Sequence, residues 1–175
     1  VLRAQSTFTD LNPADPDNLP PGRTFKLAVQ AGWNLLSLPL EADPAQIQAL
    51  FDNGLIVSAW DWLQEEGMTG RYQPTDSLEP HQPCWILALE AFETELQGVP
   101  HFTDRLQVRQ GWTLTGAGGP VQLPEAVRNR VQVYRWAAAR QEYEVVPLGT
   151  LEEGEGYWLS SPDAFDLDLT GVAAP

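Results

Sequence analysis

Basic side chains are scarce in this chain. Lys26 is the only lysine, and 10 lysines and arginines stand against 24 acids, for a formal net charge of −14. A surface of that sign repels phosphate backbones and anionic headgroups, so no nucleic acid partner and no membrane insertion are expected. Thiols are scarcer: Cys84 stands alone, which excludes an intrachain disulfide and any Cys-x-x-Cys, haem-attachment or zinc spacing. No apolar run approaches the roughly eighteen residues of a membrane-spanning helix, and the long N-terminal helix of a type IV pilin is absent with it. Gly116-Ala-Gly-Gly119 has no following lysine and reads as a turn instead of a phosphate cradle.

What the chain does have is repetition. Leu27-Ala-Val-Gln-Ala-Gly-Trp-Asn-Leu35 returns as Leu106-Gln-Val-Arg-Gln-Gly-Trp-Thr-Leu114. Val57-Ser-Ala-Trp-Asp-Trp62 returns as Val131-Gln-Val-Tyr-Arg-Trp136, and Tyr72 matches Tyr143. Leu78 to Ile86 returns as Leu151 to Leu159, and Leu96-Gln-Gly-Val99 as Leu169-Thr-Gly-Val172. Matched blocks in one order mark an internal duplication. The chain therefore divides into an extended arm at 1–25 and two repeat modules at 26–100 and 101–175. Each module is near the lower size limit for a lone unstapled fold, so the two are expected to lean on each other.

Gly32-Trp-Asn-Leu-Leu-Ser-Leu-Pro39, Val133-Tyr-Arg-Trp136 and Leu151-Glu-Glu-Gly-Glu-Gly-Tyr-Trp-Leu159 together resemble a module of bacterial secreted and cell-surface proteins. The resemblance covers nearly everything after residue 25. It implies a place beside adhesive or structural domains, and it brings no catalytic residues. Two stretches depart from its pattern: Pro80-His81-Gln82-Pro83, where a Gly-x-Gly turn is expected, and Thr115 to Pro120, where Ser-Leu-Pro is expected.

Periodicity gives a mainly β fold, two tandem modules of five to six strands each with one short helix. Phe25, Leu27 and Val29 alternate with polar positions, and Trp33 to Leu40 reads as the next strand, Pro39 marking its end at an edge. Asp43-Pro44 starts a helix with Ile47, Leu50 and Phe51 on one face, and Asn53-Gly54 stops it. Ile56 to Leu63 pairs with a strand around Arg71 to Gln73, Cys84 to Leu89 is a buried strand, and Phe92 to Leu96 closes the module. The second module places its short helix near Pro124 to Arg130 and ends on Phe165, Leu167 and Leu169.

Trp60 and Trp62 lie two apart on one strand, hence on one face, and Tyr134 with Trp136 repeats the arrangement. These four are the candidate glycan platform, flat rings for sugar C–H faces with Asp61, Glu65 and Glu66 nearby. They also suit a core role, since rings bury large apolar areas and the opposite face, Val57 with Ala59 and Val131 with Val133, is apolar too, which suits a strand covered on both sides. Trp33, Trp85, Trp112 and Trp158, inside the apolar blocks, are expected in the core. A Cys84–His81 nucleophile is weighed against Cys84 packing as a small hydrophobe, and no carboxylate pair stands out by its spacing. The expectation is no enzyme and no cofactor. Asp10, Asp15 and Asp17 form a weak calcium candidate in a loop without the EF-hand rhythm.

The chain starts at Val1, which fits either an exported precursor with its leader removed or a piece excised from something longer; the first is the leading expectation, with a secreted or cell-surface location. The leading functional expectation is a structural, self-associating surface or fibre subunit. In it Val1, Leu2, Ala4 and Phe8 of the arm add as a strand to a neighbouring copy, head to tail, which builds filaments. The alternative is a carbohydrate-binding or adhesion module with polysaccharide as partner.

Overall fold

The computed structural model describes residues 22–64, 70–101, 105–147 and 149–169. The arm tip (Val1, Leu2, Ala4, Phe8), the calcium candidates (Asp10, Asp15, Asp17) and Glu65 with Glu66 lie outside the described residues.

The chain is mainly β. In the first half, β1 (Arg23–Val29), β2 (Gly32–Leu36), β3 (Leu40–Ala42), α1 (Pro44–Phe51), β4 (Ile56–Leu63), β5 (Arg71–Pro74), β6 (Cys84–Ala88) and β7 (Phe92–Pro100) follow one another. In the second come β8 (Arg105–Val108), β9 (Gly111–Gly116), β10 (Val121–Gln122), α2 (Glu125–Arg128), β11 (Gln132–Ala137), β12 (Glu142–Val145), β13 (Thr150–Leu151), β14 (Gly156–Ser161) and β15 (Phe165–Asp168). Short pieces such as β3, β10 and β13 bring the strands above the five or six per half that periodicity suggests. Runs of two or three residues carry too little alternation to be seen in sequence.

Two antiparallel four-stranded sheets dominate, with orders β2-β6-β4-β5 and β9-β14-β11-β12. Strand for strand, these orders are the same. A smaller sheet completes each half, β1-β7-β3 in the first and β8-β15 in the second, with β10-β13 a further pair. Leu27, Val29, Leu40, Leu96, Cys84, Ile86 and Ala88 fill the first core, and Ile47 and Leu50 of α1 cover it. Val108, Val133, Leu151, Tyr157, Leu159 and Leu167 fill the second, which is separate.

The repeated Gly-Trp-Asn and Gly-Trp-Thr blocks have a local cause. Gly32 and Gly111 sit at φ of 90° and 88°, a region that excludes most side chains. Two residues on, Asn34 Oδ1 accepts from the Gln30 N–H at 2.8 Å, and Thr113 Oγ1 accepts from the Arg109 N–H at 2.8 Å. Each buried polar side chain thus closes the turn its glycine opens. At α1, Asp43 accepts from the Ala45 N–H at 2.8 Å with Pro44 in the first turn.

Two expectations change. The stretch from Trp33 to Leu40 is not one strand: β2 ends at Leu36 and the chain crosses to the other sheet, where β3 pairs with β7. Pro39 lies in the crossing, where its missing N–H breaks no ladder. Nor is Val57 covered: a register shift between Ile56 and Ser58 turns it outward, 56% exposed, while Ala59 stays in the core.

The halves meet in a reciprocal contact. The Ser37 N–H donates to the Gly154 carbonyl at 3.1 Å, and the Gly116 N–H donates to the His81 carbonyl at 3.1 Å. Ser37 and Gly116 are equivalent in the duplication, as are His81 and Gly154, so the pairing is isologous. Each contact holds one glycine. A Cβ on Gly116 would stand 1.8 Å from Ser37 Oγ, and one on Gly154 2.7 Å from Phe25 Cζ. The stretches at Pro80–Pro83 and Thr115–Pro120, which differ between the copies, therefore touch each other: the bulk of His81 is met by Gly116 and Gly118. Gly116→Ala is expected to destabilise the protein by about 1–3 kcal/mol through overpacking at this seam. Thermal unfolding followed by tryptophan emission checks this, an unshifted melting temperature being the contrary result.

Candidate functional site

Strand alternation gives each four-stranded sheet two unlike faces. One face supplies the core. On the other, register sets Trp60 opposite Trp85, Trp62 opposite Tyr72, and Trp85 opposite Leu35, with Trp33 two residues further along β2. The second sheet repeats this with Tyr134 opposite Trp158, Trp136 opposite Tyr143, and Trp112 near Trp158 on β9.

These two aromatic faces meet between the modules. Trp85 and Trp136 have centroids 5.1 Å apart at 77°, and their equivalents Trp158 and Trp62 are 5.2 Å apart at 81°. Within modules, Trp33–Trp85 (6.0 Å, 88°) is matched by Trp112–Trp158 (6.1 Å, 89°). Edge-to-face contacts of this kind add roughly 0.5–1.5 kcal/mol each beyond burial.

Rings set on edge cannot form a flat platform; they wall hollows instead. One hollow, of about 430 Å³, is lined by Trp33, Trp60, Tyr72, Trp85, Trp136 and Tyr143. The other, of about 500 Å³, is lined by Trp112, Tyr134, Tyr143, Trp158, Trp62 and Tyr72. Exchanging each residue for its duplicate converts one lining into the other. Tyr72 and Tyr143 belong to both, so the hollows are adjacent parts of one groove. The sequence grouping is redistributed: Trp60 joins Trp136 in one pocket, and Trp62 joins Tyr134 in the other.

Most of these rings are half-buried, while Tyr72, Trp112 and Tyr143 are 44%, 49% and 47% exposed. Trp158 alone is buried as expected. Trp33, Trp85 and above all Trp112 are not core residues, because they lie on the sheet face turned away from it. Their dependence on the partner module is a tertiary fact with no signal in the local pattern.

The polar atoms of the rings are largely committed internally. Trp136 Nε1 donates to the Trp33 carbonyl at 2.8 Å, Trp85 Nε1 to Tyr72 Oη at 3.2 Å, and Trp60 Nε1 to Ser58 Oγ at 3.3 Å. Trp62 Nε1 donates to Gln64 Oε1 at 3.4 Å and the Tyr134 hydroxyl to Gln132 at 2.7 Å. The groove therefore presents C–H edges and π faces. One pocket is braced further: Gln141 accepts from the Trp33 N–H at 2.8 Å and donates to its carbonyl at 2.9 Å.

Asp61 does not accompany the rings. It faces the core opposite Cys84, and burial raises its carboxyl above the usual range. Cys84 is fully buried, and burial, then Asp61, pushes its thiol up. A thiolate nucleophile is disfavoured there, so the Cys84–His81 pairing weighed from sequence has no support. Beside the groove, a polar cleft of about 600 Å³ holds Arg135, Arg140, Glu144 and Glu153. Its charges are mutually engaged: Arg135 and Arg140 pair with Glu144, holding its carboxyl low, and Arg23 binds Glu153 at 2.6 Å across the modules.

His81 is a titratable group at the seam. It adopts φ of 59°, its ring lies 4.9 Å from that of His101, and both its nitrogens are buried without a hydrogen-bond partner among the described residues. Burial, and then the His101 ring, hold it below the usual imidazole range. The unfolded chain thus binds this proton more readily. Stability is fullest above about pH 6.5 and falls as pH drops through that value toward the lowered folded pKa. Between about pH 7.5 and 5.5 the melting temperature is expected to fall, and His81→Asn, which tolerates the same backbone, is expected to flatten the profile. Equal slopes in both proteins would assign the dependence elsewhere.

No family model, no curated protein and no solved structure matches this chain, so the aromatic groove stands on its own geometry.

Proposed function

We propose that this chain is a non-catalytic carbohydrate-binding module of a secreted or cell-surface protein, and that the groove between its halves is the binding surface. The observation that carries the reading is the doubled pocket, ten aromatic rings lining one open groove, with most of their polar atoms hydrogen-bonded within the chain. Sugars suit such a lining because their C–H faces stack on rings while their hydroxyls stay in water. A proline-rich peptide suits it less, since its carbonyls would be desolvated without donors. Titrating the protein with soluble neutral polysaccharides is expected to change tryptophan emission. Trp112→Ala, at the exposed rim, is expected to weaken binding by about 1–2 kcal/mol, near tenfold. An unaltered emission across a broad neutral panel counts against the reading.

Self-association is the second reading, and one observation favours it: β5 is the outer strand of its sheet and all four of its residues are exposed. An open edge accepts a strand from another copy. Removing residues 1–22 is expected to abolish any polymer seen by electron microscopy; persistence of polymer sinks this reading.

A further inference from the structure

We infer that the ligand is a linear, uncharged, β-linked glycan of the all-equatorial glucan or xylan type, laid across both pockets at once. This rests on the carbohydrate reading above and narrows it. The first argument is ring orientation. Each pocket has walls at steep angles, with Trp85 and Trp136 at 77° and Trp62 and Trp158 at 81°. A sugar entering it meets rings on more than one side. Pyranoses with all substituents equatorial carry axial C–H groups on both faces and can satisfy such walls. An axial hydroxyl, as in galactose or mannose, spoils one face by directing a polar group at a ring with no partner to offer it.

The second argument is charge. At −14 the protein disfavours uronic and sialic acids, and the ring lining supplies no cation to offset the repulsion. The third is the duplication. The pockets exchange under the repeat and share Tyr72 and Tyr143, so a chain leaving one enters the other. Reciprocal half-sites read a directional polymer in opposite senses. Stacking tolerates this, whereas a set of directed hydrogen bonds would serve only one sense. A ligand long enough to fill both half-sites gains the effective concentration of the second contact.

Isothermal titration with cello-oligosaccharides and xylo-oligosaccharides, from disaccharide to octasaccharide, tests this. Short oligomers are expected to bind two per chain. Long ones are expected to bind one per chain, tighter by on the order of a hundredfold. Trp60→Ala and Tyr134→Ala, each checked for fold by circular dichroism, remove one pocket apiece. Either is expected to halve the short-oligomer stoichiometry and return long oligomers to short-oligomer affinity. The length series on the unaltered protein stands even if a variant misfolds. Oligogalacturonates and manno-oligosaccharides are expected to bind at least tenfold more weakly. Length-independent binding, or equal binding of the galacturonate or mannose series, overturns the inference while leaving carbohydrate binding intact. Absence of binding by every glycan in the series overturns both.

Discussion

Each four-stranded sheet has no polar face. Its inner face is covered by the module's own small sheet and helix; its outer face is paved with tryptophan and tyrosine, and among the described residues it is the other module that covers it. That need for cover sets the arrangement of the two halves. It also explains the ring positions, since Trp60, Trp62, Trp85 and Trp33 occupy alternate positions on neighbouring strands and are driven from water together. The cover is incomplete. Rings packed edge to face leave hollows between them, and those hollows are the groove.

The seam keeps the symmetry of the duplication in its hydrogen bonds and breaks it in its volumes. Ser37 with Gly154 and Gly116 with His81 make the same bond, yet the larger residue lies on the first copy each time. Such matching favours the pairing of unlike halves over that of like ones, because two His81 turns would lack the glycines that admit them. The Gln141 brace is likewise one-sided, holding the Trp33 backbone while Trp112 stays half exposed. The two pockets are thus built alike and stiffened unequally.

Much of the fold was legible in the chain. The Asp43-Pro44 cap, the strand at Ile56 to Leu63, its pairing with the strand at Arg71 and the alternation of Phe165 and Leu167 are local signals, and local sterics decide them. The Pro39 crossing and the outward turn of Val57 were not legible, because a sheet change and a register shift depend on which strand lies alongside. The candidate residues Trp60, Trp62, Tyr134 and Trp136 were found by their period, yet their grouping was not. Trp33, Trp85 and Trp112 read as core because an apolar run does not say which face meets which layer, and Trp158 alone is buried as read.

The sequence by itself determined the β content, the short first helix with its Asn53-Gly54 stop, and the doubling, since each follows from side-chain period, backbone sterics or self-similarity. Only the tertiary structure decided that the aromatic faces oppose each other and that one ring from each repeated pair is dealt to each pocket. It also decided that Asp61 and Cys84 turn inward together. The reason is that periodicity fixes which residues share a face, whereas what covers that face depends on the packing of segments far apart in the chain.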